Sequence, residues 1–238
     1  MAREQLKTPE IAWHSFATGA VLADALAAAV AGQLAQAVER RGVGFLAVSG
    51  GTTPKLFFQR LSVADIDWSR VTLTLVDERF VDRDSPRANA GLVRENLLQN
   101  AAASATFVDL YLPARDVEAA ALELETQFAP LPWPLDVVVL GMGSDGHTAS
   151  YFPDAEAKEL PLDPASHAIV YPVHAKSAGE PRLTLALARL AAADFVALHI
   201  EGAEKRSVLK AALAGPKKPP VRTVLDHTLH PVQVFWAP

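Results

Sequence analysis

The segment from Leu135 to Pro153, LDVVVLGMGSDGHTASYFP, constrains the fold more than any other part of the chain. Its first six residues are a β-branched apolar run, which predicts a strand buried on both faces of a sheet. A loop with three glycines follows. Open α/β sheets bind their ligands where buried strands run into such loops, at the carboxyl ends of the strands. Asp145 and His147 lie on this loop, so two titratable groups are predicted at the ligand-binding edge.

The loop reads Gly141-Met142-Gly143-Ser144-Asp145-Gly146, which matches the G-x-G-x-x-G fingerprint of dinucleotide-binding proteins. That fingerprint requires a long helix directly after the loop, with its N-terminus on the pyrophosphate. Here Pro153 follows Gly146 by seven residues and disfavours such a helix. The next predicted strand also lacks an acidic residue to hold a ribose. We therefore do not expect a dinucleotide site.

Composition excludes several other classes of function. Half of the 238 residues are hydrophobic and a fifth are charged, as in an ordinary soluble globular protein. Cysteine is absent, which excludes disulfides, cysteine-ligated zinc and a cysteine nucleophile, and it fits a reducing, cytoplasmic compartment. The net charge of −5 does not favour nucleic acid. An anionic substrate would need a local cluster of Arg and Lys.

No membrane partner is expected either. The N-terminus, MAREQLKTPE, lacks the apolar core of a signal peptide. The apolar stretch 20–38 is interrupted by Asp24, Gln33 and Gln36 and is rich in alanine, which is weakly hydrophobic. It predicts a packed amphipathic helix rather than a membrane span.

Strands and helices alternate along the whole chain. The patterns predict strands at 45–48, 71–76, 107–110, 135–140, 168–173, 195–200 and 232–236. They predict helices over 21–41, 54–61, 89–98, 117–128 and 185–193, and one that ends at 214. The second of these would have Thr53 as its N-cap and Pro54 as its first residue. This alternation indicates an α/β sandwich with a mainly parallel sheet, and the lack of repeats or linkers indicates a single domain over residues 1–238.

Three strand ends carry polar residues that folding does not require. Ser49-Gly50-Gly51-Thr52-Thr53 precedes a predicted helix, an arrangement that suits a phosphate although no Walker A lysine follows. Asp77-Glu78-Arg79 follows the next strand, and the loop 141–147 follows the central one. Arg182 and Lys205 could add positive charge at the same edge. Each feature alone could be a solvated turn, but together they predict a pocket for a small phosphorylated molecule with a general base.

These motifs also carry a family resemblance. SGGTTP, DER, GMGSDGHTASYFP, RLTL and GAEK occur in the order and spacing typical of the 6-phosphogluconolactonases, in the glucosamine-6-phosphate deaminase/isomerase-like superfamily. The resemblance covers nearly the whole chain, and GMGSDGHTAS is its most specific part. It implies a three-layer α/β sandwich with a doubly wound, Rossmann-like sheet. It also implies hydrolysis of 6-phospho-D-glucono-1,5-lactone in the oxidative pentose phosphate pathway, without metal or cofactor.

The resemblance implies roles for particular residues. His147 matches the general base that activates water against the lactone carbonyl, and histidine's reference pKa near 6.5 suits that role. Arg79 is expected to orient substrate or stabilise the developing oxyanion, and Asp77 to fix hydroxyls or Arg79. Asp145 would orient the His147 loop or contact the sugar. The remaining histidines are predicted to be structural.

The substrate and its phosphate are assigned to a second set of residues. Gly50, Gly51 and Thr52 match the phosphate-binding positions of the superfamily, together with Arg182 and Lys205. Arginine offers a bidentate fork and lysine a point charge. We also assign Ser49, Asn89 and Gly143 to substrate contacts. The partner is thus a phosphosugar lactone, bound by a monomer or a small homo-oligomer.

Two positions depart from the family pattern, and three rival functions stay open. Ala88 stands where a serine is usual, and Tyr151 where a leucine is more common and where it could alter the pocket wall. A glucosamine-6-phosphate deaminase would have an Asn-Glu-Pro segment where this chain has Ser150-Tyr151-Phe152-Pro153. A non-catalytic sugar-phosphate sensor would not need His147. A serine esterase using Ser49 would lack the G-x-S-x-G elbow.

Overall fold

Ten strands and seven α-helices follow one another along residues 10–238, the part of the chain that the computed structural model describes. Most of the N-terminal segment considered above as a signal peptide, residues 1–9, lies outside the described residues. The strands are β1 (Ile11–Ser15), β2 (Gly44–Val48), β3 (Val71–Leu75), β4 (Asp77–Arg79), β5 (Thr106–Phe107), β6 (Val137–Leu140), β7 (Val170–Val173), β8 (Arg182–Leu185), β9 (Phe195–Glu201) and β10 (Val232–Ala237). The helices are α1 (Gly19–Arg41), α2 (Lys55–Leu61), α3 (Asn89–Asn96), α4 (Val117–Phe128), α5 (Leu187–Ala191), α6 (Ala203–Ala214) and α7 (Pro220–His227).

Seven strands form a fully parallel sheet in the order β1-β10-β9-β6-β2-β3-β5, flanked by helices. Every residue of β2 and of β6 is buried, as their apolar, β-branched sequences predict for central parallel strands. The chain leaves β2 toward β3 and β5, then crosses back to place β6 on the other side of β2. The sheet therefore has its topological switch point between β2 and β6, where open α/β sheets bind ligands.

A second, antiparallel sheet of three short strands, β4-β8-β7, was not expected from the sequence. Asp77–Arg79, expected only as polar residues at the end of a strand, is itself one of its strands, and Arg182–Leu185 is another. The sequence predicted that 185–193 is helical, but only Leu187–Ala191 is. The apolar run around 183–191 fits both periodicities, and the long-range pairing with β4 decides in favour of a strand.

Helix α1 is long and apolar enough to span a membrane by length and composition alone. In the structure its face carrying Leu22, Leu26 and Leu34 is fully buried, and it packs against α2 and the strands β2 and β10. Thr18 caps its N-terminus by accepting a hydrogen bond from the backbone of Val21 at 3.3 Å, and Gly42 ends it in the left-handed conformation. This is the packed helix that its sequence predicts.

Two other local predictions need correction. Helix α2 begins at Lys55 with Pro54 as its N-cap residue, and Thr53 makes no capping hydrogen bond. Helix α7 begins at Pro220, where the sequence suggested only a solvated break. Strand β1 was also not predicted, whereas the remaining helices and strands lie within a few residues of their predicted positions.

Candidate active site

A cleft of about 330 Å³ opens at the carboxyl ends of β2 and β6, at the switch point of the sheet. Eleven of the twelve residues assigned from the sequence line it, so the predicted convergence of the strand ends is observed. They are Ser49, Gly50, Gly51, Thr52, Asp77, Arg79, Asn89, Gly143, His147, Arg182 and Lys205. The twelfth, Asp145, does not line the cleft but contacts His147.

Hydrogen bonds tie the loop after β2 to the loop after β6. The backbone N–H of Ser49 donates to the carbonyl of Val139 at 3.0 Å, and the N–H of Gly141 donates to the Ser49 hydroxyl at 3.0 Å. The Thr148 hydroxyl donates to the Gly141 carbonyl at 2.7 Å and closes the second loop on itself. Ser49 and His147 share no hydrogen bond, which removes the geometric basis for a serine nucleophile.

The His147 imidazole is held by Asp145. Its Nδ1 lies 2.6 Å from Asp145 Oδ1, and its backbone N–H donates to the same oxygen at 3.1 Å. A carboxylate partner selects the tautomer with the proton on Nδ1, which leaves the lone pair on Nε2. Nε2 has no hydrogen-bond partner among the described residues, and the side chain is about one-third exposed. The imidazole can therefore accept a proton from a molecule in the cleft.

Two glycines allow this loop to hold the imidazole. A Cβ on Gly143 would lie 2.3 Å from the His147 ring, so only glycine lets the ring pack there. Gly146 has φ +81°, and a Cβ there would lie 2.9 Å from Pro219. The backbone of Val221 also donates to the Gly146 carbonyl at 3.0 Å. The N-terminus of α7 thus supports the loop, which the sequence did not predict.

The DER segment is buried rather than solvated. Asp77 lines the cleft, and its Oδ2 accepts a hydrogen bond from the Ser150 hydroxyl at 2.7 Å. Glu78 points away from the cleft and accepts from the backbone N–H groups of Arg79, Asn89 and Ala90 at 2.6–2.7 Å. Burial raises the pKa of Glu78 to about 7, although these three donors act in the opposite direction. Glu78 is therefore a structural cap for α3.

This cap explains why the chain tolerates Ala88. Ala88 is the N-cap residue of α3 and has no side-chain oxygen, so Glu78 satisfies the free N–H groups instead. Asn89 then donates from Nδ2 to the Asp77 carbonyl at 2.9 Å, while its Oδ1 finds no hydrogen-bond partner in the part of the chain that the structure describes. A Cβ on Gly50 would lie 1.9 Å from that oxygen, so Asn89 packs directly against the loop after β2.

Positive charge is concentrated in the cleft. Pairing of β4 with β8 places Arg79 opposite Arg182, and like charges at such positions repel each other. Burial lowers the pKa of Arg182, and the Asp77 carboxylate raises it. Lys205 lies in the first turn of α6. The charged lining thus has three cations and one carboxylate, in a protein of net charge −5, and suits an anionic ligand.

The structure adds residues that sequence reasoning missed. Phe152 lines the cleft, with its ring centroid 4.6 Å from that of His147. His199 also lines the cleft, although the sequence analysis predicted a structural role for it. Its Nε2 lies 3.1 Å from Glu201 Oε1, and burial lowers the pKa of the imidazole. Its position near the carboxyl end of β9 was the available signal. Tyr151, expected to alter the pocket wall, does not line the cleft; its hydroxyl donates to the Leu185 carbonyl at 2.6 Å.

Within residues 10–238, no group of three or more His, Asp or Glu side chains is arranged to hold a metal ion.

Comparison with known proteins identifies the class. Residues 17–236 match the family model described as "Glucosamine-6-phosphate isomerases/6-phosphogluconolactonase", and the chain belongs to this family. Relatives named 6-phosphogluconolactonase match it over nearly their full length. The 6-phosphogluconolactonase of Mesorhizobium japonicum is 58% identical to this chain, and the match covers 100% of both sequences. That of Rhizobium meliloti is 49% identical, over 94% of this chain and 98% of the relative.

Solved structures agree with this placement. The crystal structure of a 6-phosphogluconolactonase from Shewanella baltica superposes with a TM-score of 0.93 at 40% identity, covering 97% of this chain and 99% of the other. The predicted α/β fold and the resemblance to 6-phosphogluconolactonases are both confirmed.

Proposed function

We propose that this protein hydrolyses 6-phospho-D-glucono-1,5-lactone to 6-phospho-D-gluconate, in the pentose phosphate pathway, by direct attack of water. The proposal rests above all on the Asp145–His147 pair beside a cleft lined by Arg79, Arg182 and Lys205. It provides a general base next to a binding site for a phosphorylated molecule. The full-length relatives carry the name of this activity.

The reaction begins with a water molecule between His147 Nε2 and C1 of the lactone. Nε2 takes a proton from the water as its oxygen attacks C1, and the carbonyl electrons move to the carbonyl oxygen. Asp145, bound to Nδ1, stabilises the imidazolium that forms. When the tetrahedral intermediate collapses, the C1–O5 bond breaks and the imidazolium returns its proton to O5. A positioned base contributes roughly 10²–10⁴-fold, enough for an ester as activated as a lactone.

The cations divide between the two ends of the substrate. We assign Arg182, Lys205 and the backbone N–H groups of Gly50–Thr52 to the phosphate, because a loop before a helix N-terminus presents free donors to an anion. Arg79 and Asp77 lie nearer the sugar in this arrangement. Arg79 stabilises the developing oxyanion, and Asp77, fixed by Ser150, accepts from sugar hydroxyls.

The substrate is tested with freshly generated 6-phosphogluconolactone in a pH-stat, after subtraction of spontaneous opening. We expect rapid acid release with the lactone and no ammonia or fructose 6-phosphate from glucosamine 6-phosphate run in parallel. Turnover of glucosamine 6-phosphate without turnover of the lactone would reject the lactonase function in favour of a deaminase.

The base is tested with His147→Ala. We expect kcat to fall by about 10²-fold or more, with KM little changed, since the imidazole acts in the transition state. His174→Ala is the matched control, because His174 makes a similar 2.7 Å contact with Glu118 but does not line the cleft. Equal kcat values for the two variants would remove His147 from the mechanism.

A further inference from the structure

Phe152 lies between the two groups that the proposed function needs most. Its ring centroid is 4.6 Å from that of His147 at an interplanar angle of 35°, and 5.6 Å from the Arg182 guanidinium carbon. The side chain is only 5% exposed, yet it contributes to the wall of the cleft. A single aromatic ring therefore contacts both the base and a cation assigned to the phosphate.

The contact with His147 completes the enclosure of the imidazole. Asp145 holds Nδ1, and the Gly143 backbone lies so close to the ring that a Cβ would approach within 2.3 Å. These two restraints act on the Nδ1–Cε1 edge, and Phe152 packs on the ring itself. The separation of the centroids lies within the range of favourable aromatic pairs. The ring of Phe152 thus limits rotation of the imidazole away from the cleft.

The contact with Arg182 has a different origin. The Arg182 side chain is buried, and its Nε has no hydrogen-bond partner within residues 10–238. Its Nη2 donates to the Ala178 carbonyl at 2.9 Å and lies 3.4 Å from Glu180. A guanidinium within about 6 Å of an aromatic centroid is attracted by the ring. Phe152 therefore compensates part of the cost of burying this cation and fixes where it lies.

The ring itself is firmly anchored. Phe152 packs with Val173 and Ala178 in a small apolar cluster that is separate from the main core. Val173 belongs to β7 and Ala178 to the short turn before β8. The antiparallel sheet and the turn before β8 thus support the ring.

We propose that Phe152 is a positioning residue of the lactonase reaction. Its ring orients the His147 imidazole through one contact and the Arg182 guanidinium through the other. This proposal rests on the function proposed above. It assigns to the antiparallel sheet a role in catalysis, through an apolar side chain that offers no hydrogen-bonding group to the substrate.

The test is Phe152→Leu, which keeps an apolar side chain but removes the aromatic ring. We expect kcat to fall about tenfold, because the base is less well oriented. We expect KM to rise about fivefold, because Arg182 loses its cation–π partner. Should this variant be too unstable, Phe152→Met, which is longer and more flexible, is measured in the same way.

Val30→Ala is the matched control, since it removes apolar volume from the main core on α1 and Val30 does not line the cleft. We expect it to lower the melting temperature while leaving kcat and KM within about twofold of the parent. A second control repeats Phe152→Leu in an Arg182→Ala background, where the effect on KM should vanish and the effect on kcat should persist.

The outcomes separate positioning from packing. A parent-like kcat in Phe152→Leu, or equal kinetic losses in Val30→Ala, overturns the proposal and leaves Phe152 as core. An unchanged increase in KM in the Arg182→Ala background removes the link to the cation. Absence of lactonase activity in the parent protein is a different result, which would reject the proposed function itself.

Discussion

At the scale of single residues, Asp145 decides which nitrogen of His147 can act as a base. The 2.6 Å contact from Asp145 Oδ1 to His147 Nδ1 leaves Nε2 as the nitrogen that can accept a proton. Asp145→Asn keeps the shape but removes the charge that stabilises the imidazolium. We expect kcat to fall by about 10–100-fold with KM nearly unchanged, measured by steady-state kinetics. Asp65→Asn, at an exposed aspartate outside the cleft, should have no effect. A parent-like kcat in Asp145→Asn would show that the loop alone orients His147.

Glu78 gives a second prediction at this scale, for stability rather than activity. Burial raises its pKa from 4.5 to about 7 in the folded protein. A carboxyl whose pKa is raised on folding contributes stability below the unfolded value and loses it as pH rises through the folded value. The difference in unfolding free energy between the parent and Glu78→Gln should therefore fall by about 3 kcal/mol between pH 4.5 and 7. Urea unfolding across this range measures it. A difference that grows with pH would mean that the three backbone donors outweigh burial.

At the scale of elements, the loop after β6 depends on a turn of α7 that is distant in sequence. Gly146→Ala combines a positive φ with a Cβ 2.9 Å from Pro219, so we expect a loss of about 1–3 kcal/mol and a lower kcat. Gly91→Ala is the matched control, because Gly91 lies in α3 and nothing lies within 4 Å of an added Cβ. It should keep or slightly raise stability. Equal melting temperatures for the two variants would show that the loop adapts without cost.

Local patterns predicted the elements whose periodicity was unambiguous. Helix α1 and strands β2 and β6 follow from their apolar residues and glycine boundaries. The antiparallel sheet did not follow, because Arg182–Leu185 becomes a strand only through pairing with Asp77–Arg79, about a hundred residues away. Helix α7 was hidden by the prolines around 216–220, one of which begins it.

The residues of the candidate site were predicted more completely than the details of the fold. Buried strands that end in glycine and charge locate the cleft, and the motif resemblance assigns its residues, eleven of which line it. The contacts of Phe152 and His199 were missed, because Phe152 is an apolar member of the motif and His199 had only its position near the carboxyl end of β9 as a signal. The contact between Gly146 and Pro219 could not be predicted either, because the two segments share no sequence pattern.

At the scale of the whole molecule, a net charge of −5 surrounds a cleft with three cations. The overall field disfavours an anionic substrate, so binding must depend on these nearby cations. We expect KM to rise about three- to tenfold between 0.05 and 0.5 M KCl, with kcat nearly constant. Arg182→Ala should reduce this dependence, whereas Arg115→Ala, at an exposed arginine paired with Asp116, should keep it. A KM independent of salt in the parent would argue against charge-driven binding.

The central claim is that one end of the substrate is bound by cations while the other lies within one water of His147. A crystal structure with 6-phosphogluconate bound tests it most directly. The account predicts the phosphate on the Gly50–Thr52 loop, Arg182 and Lys205, and the C1 carboxylate within about 3–5 Å of His147 Nε2, directly or through one water. A sugar acid bound in the reverse direction, or an imidazole turned away from C1, would contradict it.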